Sequence, residues 1–428
     1  MTATHICMLN DEHYPLKEAD TINVVRTASG LGQAGARVDL VVPRLWGRNA
    51  TAEELGAHYG VPATFNLIRV PTLFPTLRSL RVEKLTHPVL APWLGHLVRA
   101  DVIYSRNLLP LALAHALGVP WVFETYRRLA EQIPLLRLLG PRLPLRRALA
   151  AVAHAERCAE NLVQIGFERD AVLTAYSGYL PAEVEPPLDR ETARRVCGLE
   201  LDGKMVLYLG NADPYIRLDW LLDVAGHLPD VTFVFVGGYR AQHDTWRRYG
   251  RRRGLGNAVF VEHQAPCRVR PFLYTADALA VVPSNVDLEH RRRGLGLYRT
   301  LPGIPMKIFI YKATGIPIFA PDLSYMHEVL RRDENAVLGP VDDPPRAARR
   351  LRRLLEDRET ARRLAAAARA DATQHTWAER GARILRFIER RLASAEAGTS
   401  PAVAAAVMSG QSSASMWGHQ AWRIQPRW

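Results

Sequence analysis

The chain has 428 residues, 48% hydrophobic and 23% charged, with a formal net charge of +13. That length suits two or three domains at the usual ~100–200 residues each, and the composition excludes a disordered chain or a disulfide scaffold. The charge favours anionic partners (nucleic acid, acidic lipid, a phosphorylated substrate), although an Arg-rich surface without a specific role gives the same total.

No apolar run approaches the ~20 residues needed to cross a bilayer. The run 5–9 is followed at once by Asp11 and is too short for a secretory leader. The expected location is cytoplasmic, extending to the inner face of the cytoplasmic membrane. Cys7, Cys158, Cys197 and Cys267 form no Cys-x-x-Cys and fit buried thiols of a reducing compartment.

In chain order, 5–9 is a short apolar strand, 21–35 has helical spacing through Ile22, Val25 and Leu31, and 38–42 is a strand closed by Pro43. Strand 101–105, helix 108–117 and strand 121–125 repeat the pattern. Residues 178–200 are Pro-rich and charged and read as a linker. The pattern then restarts: strand 205–209, helix 218–228, strand 231–236 with Gly237 and Gly238 after it, helix 242–253, strand 259–262, a short helix to Thr275 and strand 278–282. Helices near 346–355 and 358–373 and an amphipathic one at 377–392 follow. Alternating strands and helices predict an α/β protein of two doubly wound, Rossmann-like domains facing a cleft. The expected boundaries are 1–180 for an acceptor-binding domain, 181–200 for the linker, 201–376 for a nucleotide-sugar-binding domain, 377–392 for a terminal helix and 393–428 for a disordered tail.

Gly30, Gly32 and Gly35 match the spacing of the dinucleotide fingerprint, but they close a helix instead of opening one, so they read as a helix stop. There is no phosphate-binding Gly-x-x-x-x-Gly-Lys loop and no Gly-x-Ser-x-Gly elbow, and His327-Glu328 lacks the second His of zinc proteases. No Asp-x-Asp pair is present. No metal site and no cofactor are expected, and no nucleic-acid reader motif occurs.

The most informative run is 303–320, Gly-Ile-Pro-Met-Lys-Ile-Phe-Ile-Tyr-Lys-Ala-Thr-Gly-Ile-Pro-Ile-Phe-Ala. It reads as a loop, a short helix, a Gly stop and a buried strand, with Lys307 in the first helical turn. Helix N-termini expose unpaired N–H groups and attract phosphate. The run resembles the donor-site segment of family-4 (group 1) glycosyltransferases of GT-B fold. The stretches 259–283 and 328–344 and the final Thr376-Trp377 helix follow that family's order. The resemblance implies transfer of a sugar from a nucleotide donor to a glycan or lipid-linked acceptor, with retention at the anomeric carbon. It further implies donor contacts at Gly210, Asn211, Gly237, Gly238, Met306, Ile308, Phe309 and Ile310, with Lys307, Arg217 and Glu124 in the catalytic set. Tyr126, Arg127 and His13 fall on the acceptor side.

Several family positions are altered. The usual Arg and Lys after the first strand of the second domain fall on Asn211 and Ile216, with Arg217 adjacent. The acidic pair falls on Pro302 and Ile310, so the ribose-binding Glu is missing. Either Arg291, Arg292 and Arg293, with Asp287 or Glu289, replace the lost groups, or the protein is a binding module that no longer turns over. A basic amphipathic stretch at 127–147 suits the face of an anionic membrane, or equally a helix packed between domains.

Overall fold

Short apolar runs that bury both faces make parallel strands, and the amphipathic runs between them make the covering helices. The computed structural model describes residues 3–16, 19–44, 49–71, 83–140, 144–213, 216–284 and 303–397. The first half contains β1 (His5–Leu9), α1 (Ala19–Gln33), β2 (Arg37–Pro43), α2 (Ala52–Tyr59), β3 (Asn66–Val70), α3 (Glu83–Leu97), β4 (Val102–Ser105), α4 (Leu108–Ala116), β5 (Trp121–Thr125), α5 (Leu129–Gln132), α6 (Pro134–Leu139), β6 (Ala150–Ala153), α7 (Glu156–Gln164) and β7 (Val172–Thr174). Its strands form one parallel sheet in the order β3-β2-β1-β4-β5-β6-β7.

The second half contains α8 (Arg190–Cys197), β8 (Lys204–Leu209), α9 (Leu218–Gly226), β9 (Val231–Val236), α10 (Arg240–Arg252), β10 (Ala258–Val261), α11 (Pro266–Tyr274), β11 (Ala278–Ala280), α12 (Lys307–Thr314), β12 (Ile318–Pro321), β13 (Val337–Gly339), α13 (Pro344–Glu356), α14 (Arg358–Ala372) and α15 (Trp377–Glu396). Its parallel sheet runs β10-β9-β8-β11-β12-β13. Strand order reverses between β1 and β4 and again between β8 and β11, and ligands of such sheets bind beyond the carboxyl ends at these points. Along β8 and β9 the side chains alternate. Val206, Tyr208, Phe233 and Phe235 pack on one face, and Met205, Leu207, Val234 and Val236 on the other.

The linker stretch holds more structure than its composition suggests. Arg190–Cys197 is helical, capped by the Asp189 side chain on the Thr192 N–H and stopped at Gly198, and Leu199 enters the core of the second half. The final helix extends to Glu396, past the expected end at 392, and returns to the first half. Its Ile384, Leu385, Phe387 and Ile388 join the core of α1 and α2. A Cβ on Gly381 would lie 2.1 Å from the Gly30 carbonyl carbon, so the two helices cross almost backbone to backbone. That crossing explains Gly30. Gly35, at φ 104°, ends α1 as expected.

Of the tail expected to be disordered, 393–428, residues 393–396 continue the final helix and 398–428 lie outside the described residues. Cys7 and Cys158 are buried, whereas Cys197 is only half-buried. The stretch 127–147 is not one amphipathic helix. It breaks into α5, α6 and a short turn at Pro144–Arg147, because Pro134 and Pro144 interrupt the backbone. Leu129 is buried, while Leu135 and Leu138 are exposed. No helix of the described residues is long and apolar enough to cross a membrane.

Candidate functional site

At the switch point of the second sheet, β8 ends at Leu209 and the chain turns through Gly210. Its N–H bonds the Val236 carbonyl at 2.8 Å, and Gly237 in turn bonds Val261 at 2.9 Å. The carboxyl ends of β8, β9 and β10 are thereby stitched into one rim. The rim is tight: a Cβ on Gly237 would sit 2.2 Å from the Gly210 carbonyl oxygen. The loop beyond is ordered by polar side chains. Asp213 accepts from Asn211 Nδ2 at 2.5 Å and from Gln242 Nε2 at 2.6 Å.

Lys307 opens α12 and points at this rim. Its ammonium lies 4.0 Å from the centroid of the Tyr208 ring, and a Cβ on Gly210 would fall 2.2 Å from its Nζ. Tyr208 is buried and donates its hydroxyl to the Asn211 carbonyl at 2.8 Å. One turn along the helix, Tyr311 accepts the Leu209 N–H at 2.9 Å, which fixes α12 against β8. Among the described residues no carboxylate pairs with Lys307. Burial without a counter-charge pulls its ammonium down to about 7. A buried cation beside a helix start has chemistry suited to an anion.

The backbone donors there are fewer than the sequence suggests. The Ile308 and Phe309 N–H groups close turns onto Pro305 and Met306, each at 3.1 Å. Their side chains are buried in the core. Neither residue therefore offers the donor contact expected of it, and the Met306 and Lys307 N–H groups remain. Ile310 packs beside Tyr179 and Val184 of the connection between the halves, so an apolar contact stands at that position.

Arg217 caps α9, and its Nε donates to both Asp219 oxygens at 2.9 and 2.8 Å. It is a paired cation, about a third exposed. Arg291 and Arg293 lie outside the described residues, as do Arg292, Asp287, Glu289 and Pro302.

The expected catalytic role of Glu124 is corrected by its surroundings. It is 1% exposed, and its carboxylate is consumed by Tyr104 at 2.5 Å, Arg380 at 3.0 Å and His154. Burial alone would raise its pKa, but Arg380 and His154 hold it well below the usual carboxylate range. Burial likewise drives His154 down to about 4, so it is neutral. The cluster ties α15 to the first sheet. Sequence order hid it, since Arg380 lies in the last helix.

Tyr126 is exposed at the end of β5, with the Arg106 guanidinium 4.9 Å and that of Arg127 5.6 Å from its ring centre. Arg106 pairs with Asp20 at 2.9 Å, and His13 lies half-buried in the loop after β1. This first-half surface meets the start of α12. Asn23 of α1 donates to Met306 Sδ at 2.9 Å, and Ile304 packs against the cores of both halves. Nearby, Glu328 accepts the first N–H groups of α7, from Glu156 at 2.8 Å and Arg157 at 3.2 Å, together with the Tyr176 hydroxyl at 3.3 Å. Sequence reasoning missed Tyr208, Arg106 and this role of Glu328. The single hydroxylated ring in the otherwise apolar run 205–209 of β8 was the only signal for the first.

The profile of the family described as glycosyl transferases group 1 matches residues 189–371. Over that stretch the chain is similar to group 1 glycosyltransferases. Over 308 residues it is 26% identical to D-inositol 3-phosphate glycosyltransferase 1 of Catenulispora acidiphila, spanning 68% of this chain and 69% of that protein. It is 30% identical over 154 residues to the D-inositol 3-phosphate glycosyltransferase of Mycolicibacterium smegmatis, 35% of each chain. Two solved structures share the GT-B arrangement across both halves. Anabaena HepE, in complex with UDP and glucose, aligns at a TM-score of 0.67 and 17% identity over 90% of this chain and 99% of that one. Sucrose-phosphate synthase of Thermosynechococcus elongatus aligns at 0.72 and 15% over 91% and 100%. Within the matched stretch, the rim of Gly210, Gly237 and Lys307 lies at the sheet's switch point.

Proposed function

We propose that the protein is a retaining glycosyltransferase that moves a hexosyl group from a nucleotide sugar to an acceptor bound against the first half. The observation that carries this reading is the Lys307 ammonium at the start of α12, without a carboxylate partner among the described residues and facing Gly210 at the switch point of the second sheet. In such a transfer the anomeric carbon–oxygen bond breaks and its electron pair passes to the diphosphate. Lys307 and the Met306 and Lys307 N–H groups would stabilise that growing charge, a type of term that supplies ~2.7–4 kcal/mol per donor in well-organised sites. The sugar carbon becomes oxocarbenium-like as the bond breaks. The reading requires no metal or cofactor at the diphosphate, since fixed protein cations can take that role.

The acceptor would approach Tyr126, Arg106, Arg127 and His13. The Arg106 and Arg127 guanidiniums suit an acceptor that carries phosphate, in keeping with the names of the curated relatives. A lipid-linked acceptor is supported by exposed Leu135 and Leu138 and by exposed Val89, Trp93 and Leu97 on α3. With a net charge of +13, this suits peripheral contact with anionic membrane.

A second reading, a binding module without turnover, is favoured by Arg217 being tied to Asp219 and by Ile310 standing where the family has a ribose-binding Glu. One experiment separates the two. Unfolding of the parent and Lys307→Ala is followed against UDP, GDP, ADP and their hexose conjugates. A ligand at a hundred times its dissociation constant adds ~2.7 kcal/mol. The first reading expects a shift in the parent, none in the variant, and sugar release in the parent alone. A Lys307→Ala protein that transfers sugar at the parent rate would sink it.

A further inference from the structure

Lys307 poses a physical problem that the donor-site reading leaves open: what holds a desolvated ammonium in place when, among the described residues, no carboxylate does. A carboxylate would neutralise the charge that the diphosphate needs. Tyr208 offers another means. Its ring face lies 4.0 Å from the ammonium, close to the optimum for attraction between a cation and the negative face of an aromatic ring. The ring cannot swing away. Tyr208 is 1% exposed, its hydroxyl is bonded to the Asn211 carbonyl, and Phe235 packs 6.3 Å from it. On its open side the ammonium fills the space that a side chain at residue 210 would take.

Resting on the donor-site reading above, we infer that Tyr208 is the positioning residue of Lys307: its ring face orients the ammonium toward the Gly210 rim while leaving its charge available to a diphosphate. A ring supplies attraction without a formal counter-charge, so the incoming anion has no carboxylate to displace. The other polar side chains of the rim and of α12 do not compete for this role. Tyr311 is committed to the Leu209 N–H, and burial raises its pKa so that it stays neutral. Asp213 is bonded to Asn211 and Gln242.

The test measures binding of inorganic pyrophosphate and of UDP by calorimetry as a function of pH, in the full chain. Tyr208→Phe keeps the ring and loses only the hydroxyl, so affinity should stay within about twofold of the parent. Tyr208→Leu removes the ring and should weaken both ligands about tenfold, the equivalent of ~1.4 kcal/mol. It should also move the pH at which affinity falls about one unit lower, because the charged form loses its support. Phe233→Leu is the control for core loss. It removes an equally buried ring of the same cluster, one that pairs with Val206 and not with Tyr208, and should cost stability with no change in anion affinity.

If Tyr208→Leu binds both anions like the parent, or its pH midpoint rises because water replaces the ring, the inference is overturned. A Phe233→Leu variant that loses affinity equally would also overturn it. Should Tyr208→Leu fail to fold, Tyr208→Phe and Tyr208→Met at matched stability give the same comparison. Failure of the donor-site reading looks different: Lys307→Ala would then bind pyrophosphate and UDP as the parent does, or the parent would bind neither.

Discussion

Adding one methyl group at Gly210 tests the site with the least chemical change. The new Cβ in Gly210→Ala would lie 2.2 Å from Lys307 Nζ and 2.9 Å from the Tyr208 hydroxyl. Ordinary contact begins at 3.4 Å, so the ammonium must retreat by about 1 Å or more. It can do so, because it ends a flexible chain, and the fold should survive. The φ of 153° adds backbone strain, which for unfavoured conformations runs to ~1–3 kcal/mol. The retreat breaks the aim of one charge-assisted contact, worth ~1.5–3 kcal/mol. UDP affinity should therefore fall ~10–100-fold, and turnover by at least as much, since a 1 Å misplacement alone can cost ~100-fold. Calorimetric titration with UDP reads the first, and release of UDP from its hexose conjugates reads the second. A folded Gly210→Ala protein that binds UDP as tightly as the parent would refute the placement of the diphosphate beside Lys307.

Four further outcomes follow from the structure. Lys307 titrates near 7, so UDP affinity should decline as pH rises above 7, where the diphosphate is already fully ionised, by up to about tenfold per unit, and Lys307→Met should abolish that slope. The same shift governs stability with the opposite sense. The folded pKa is below the unfolded value of 10.5, so the unfolded chain binds more protons above pH 7 and stability should rise with pH, by at most ~1.4 kcal/mol per unit. This is best read by urea titration between pH 7 and 8.5, before thiols of unfolded chains ionise. Arg380→Met should cost ~3–5 kcal/mol by stranding the Glu124 carboxylate in the core, and adding Glu124→Gln should restore part of the loss in thermal unfolding. Glu328→Ala removes a carboxylate from the start of α7 and should cost ~0.5–2 kcal/mol while loosening the contact between the halves, a change that small-angle scattering would register.

What the sequence disclosed follows from how local each feature is. β1, β5 and β9 have the bounds that their apolar runs predict, because a strand buried on both faces needs little beyond its own residues. Lys307 was legible for a similar reason: a Pro before it, an apolar helix behind it and Gly315 after it define a short helix from local signals. α8 was hidden because the prolines at 181, 186 and 187 suggested a linker, although Asp189 and Gly198 were the usual signals of helix start and stop. Glu124 misled because its meaning is set by distant residues. At the end of a strand it reads as a cleft carboxylate, and only the return of α15, carrying Arg380, makes it a buried structural charge. Tyr208 was illegible in the same way, since its contact with Lys307 joins residues that are far apart along the chain.

The altered positions also explain why so much rests on one side chain. Where the family pattern spreads positive charge over three positions around the diphosphate, the described part of this site has Asn211, Ile216 and Lys307. Asn211 is spent on loop geometry through Asp213, and the neighbouring Arg217 is partly neutralised by Asp219. Desolvation sharpens the remaining interaction, because a charge in a poorly hydrated rim interacts more strongly with an anion than the same charge in water. It also makes that interaction conditional. The cation that is worth most to a bound diphosphate is the one most ready to lose its proton when none is bound.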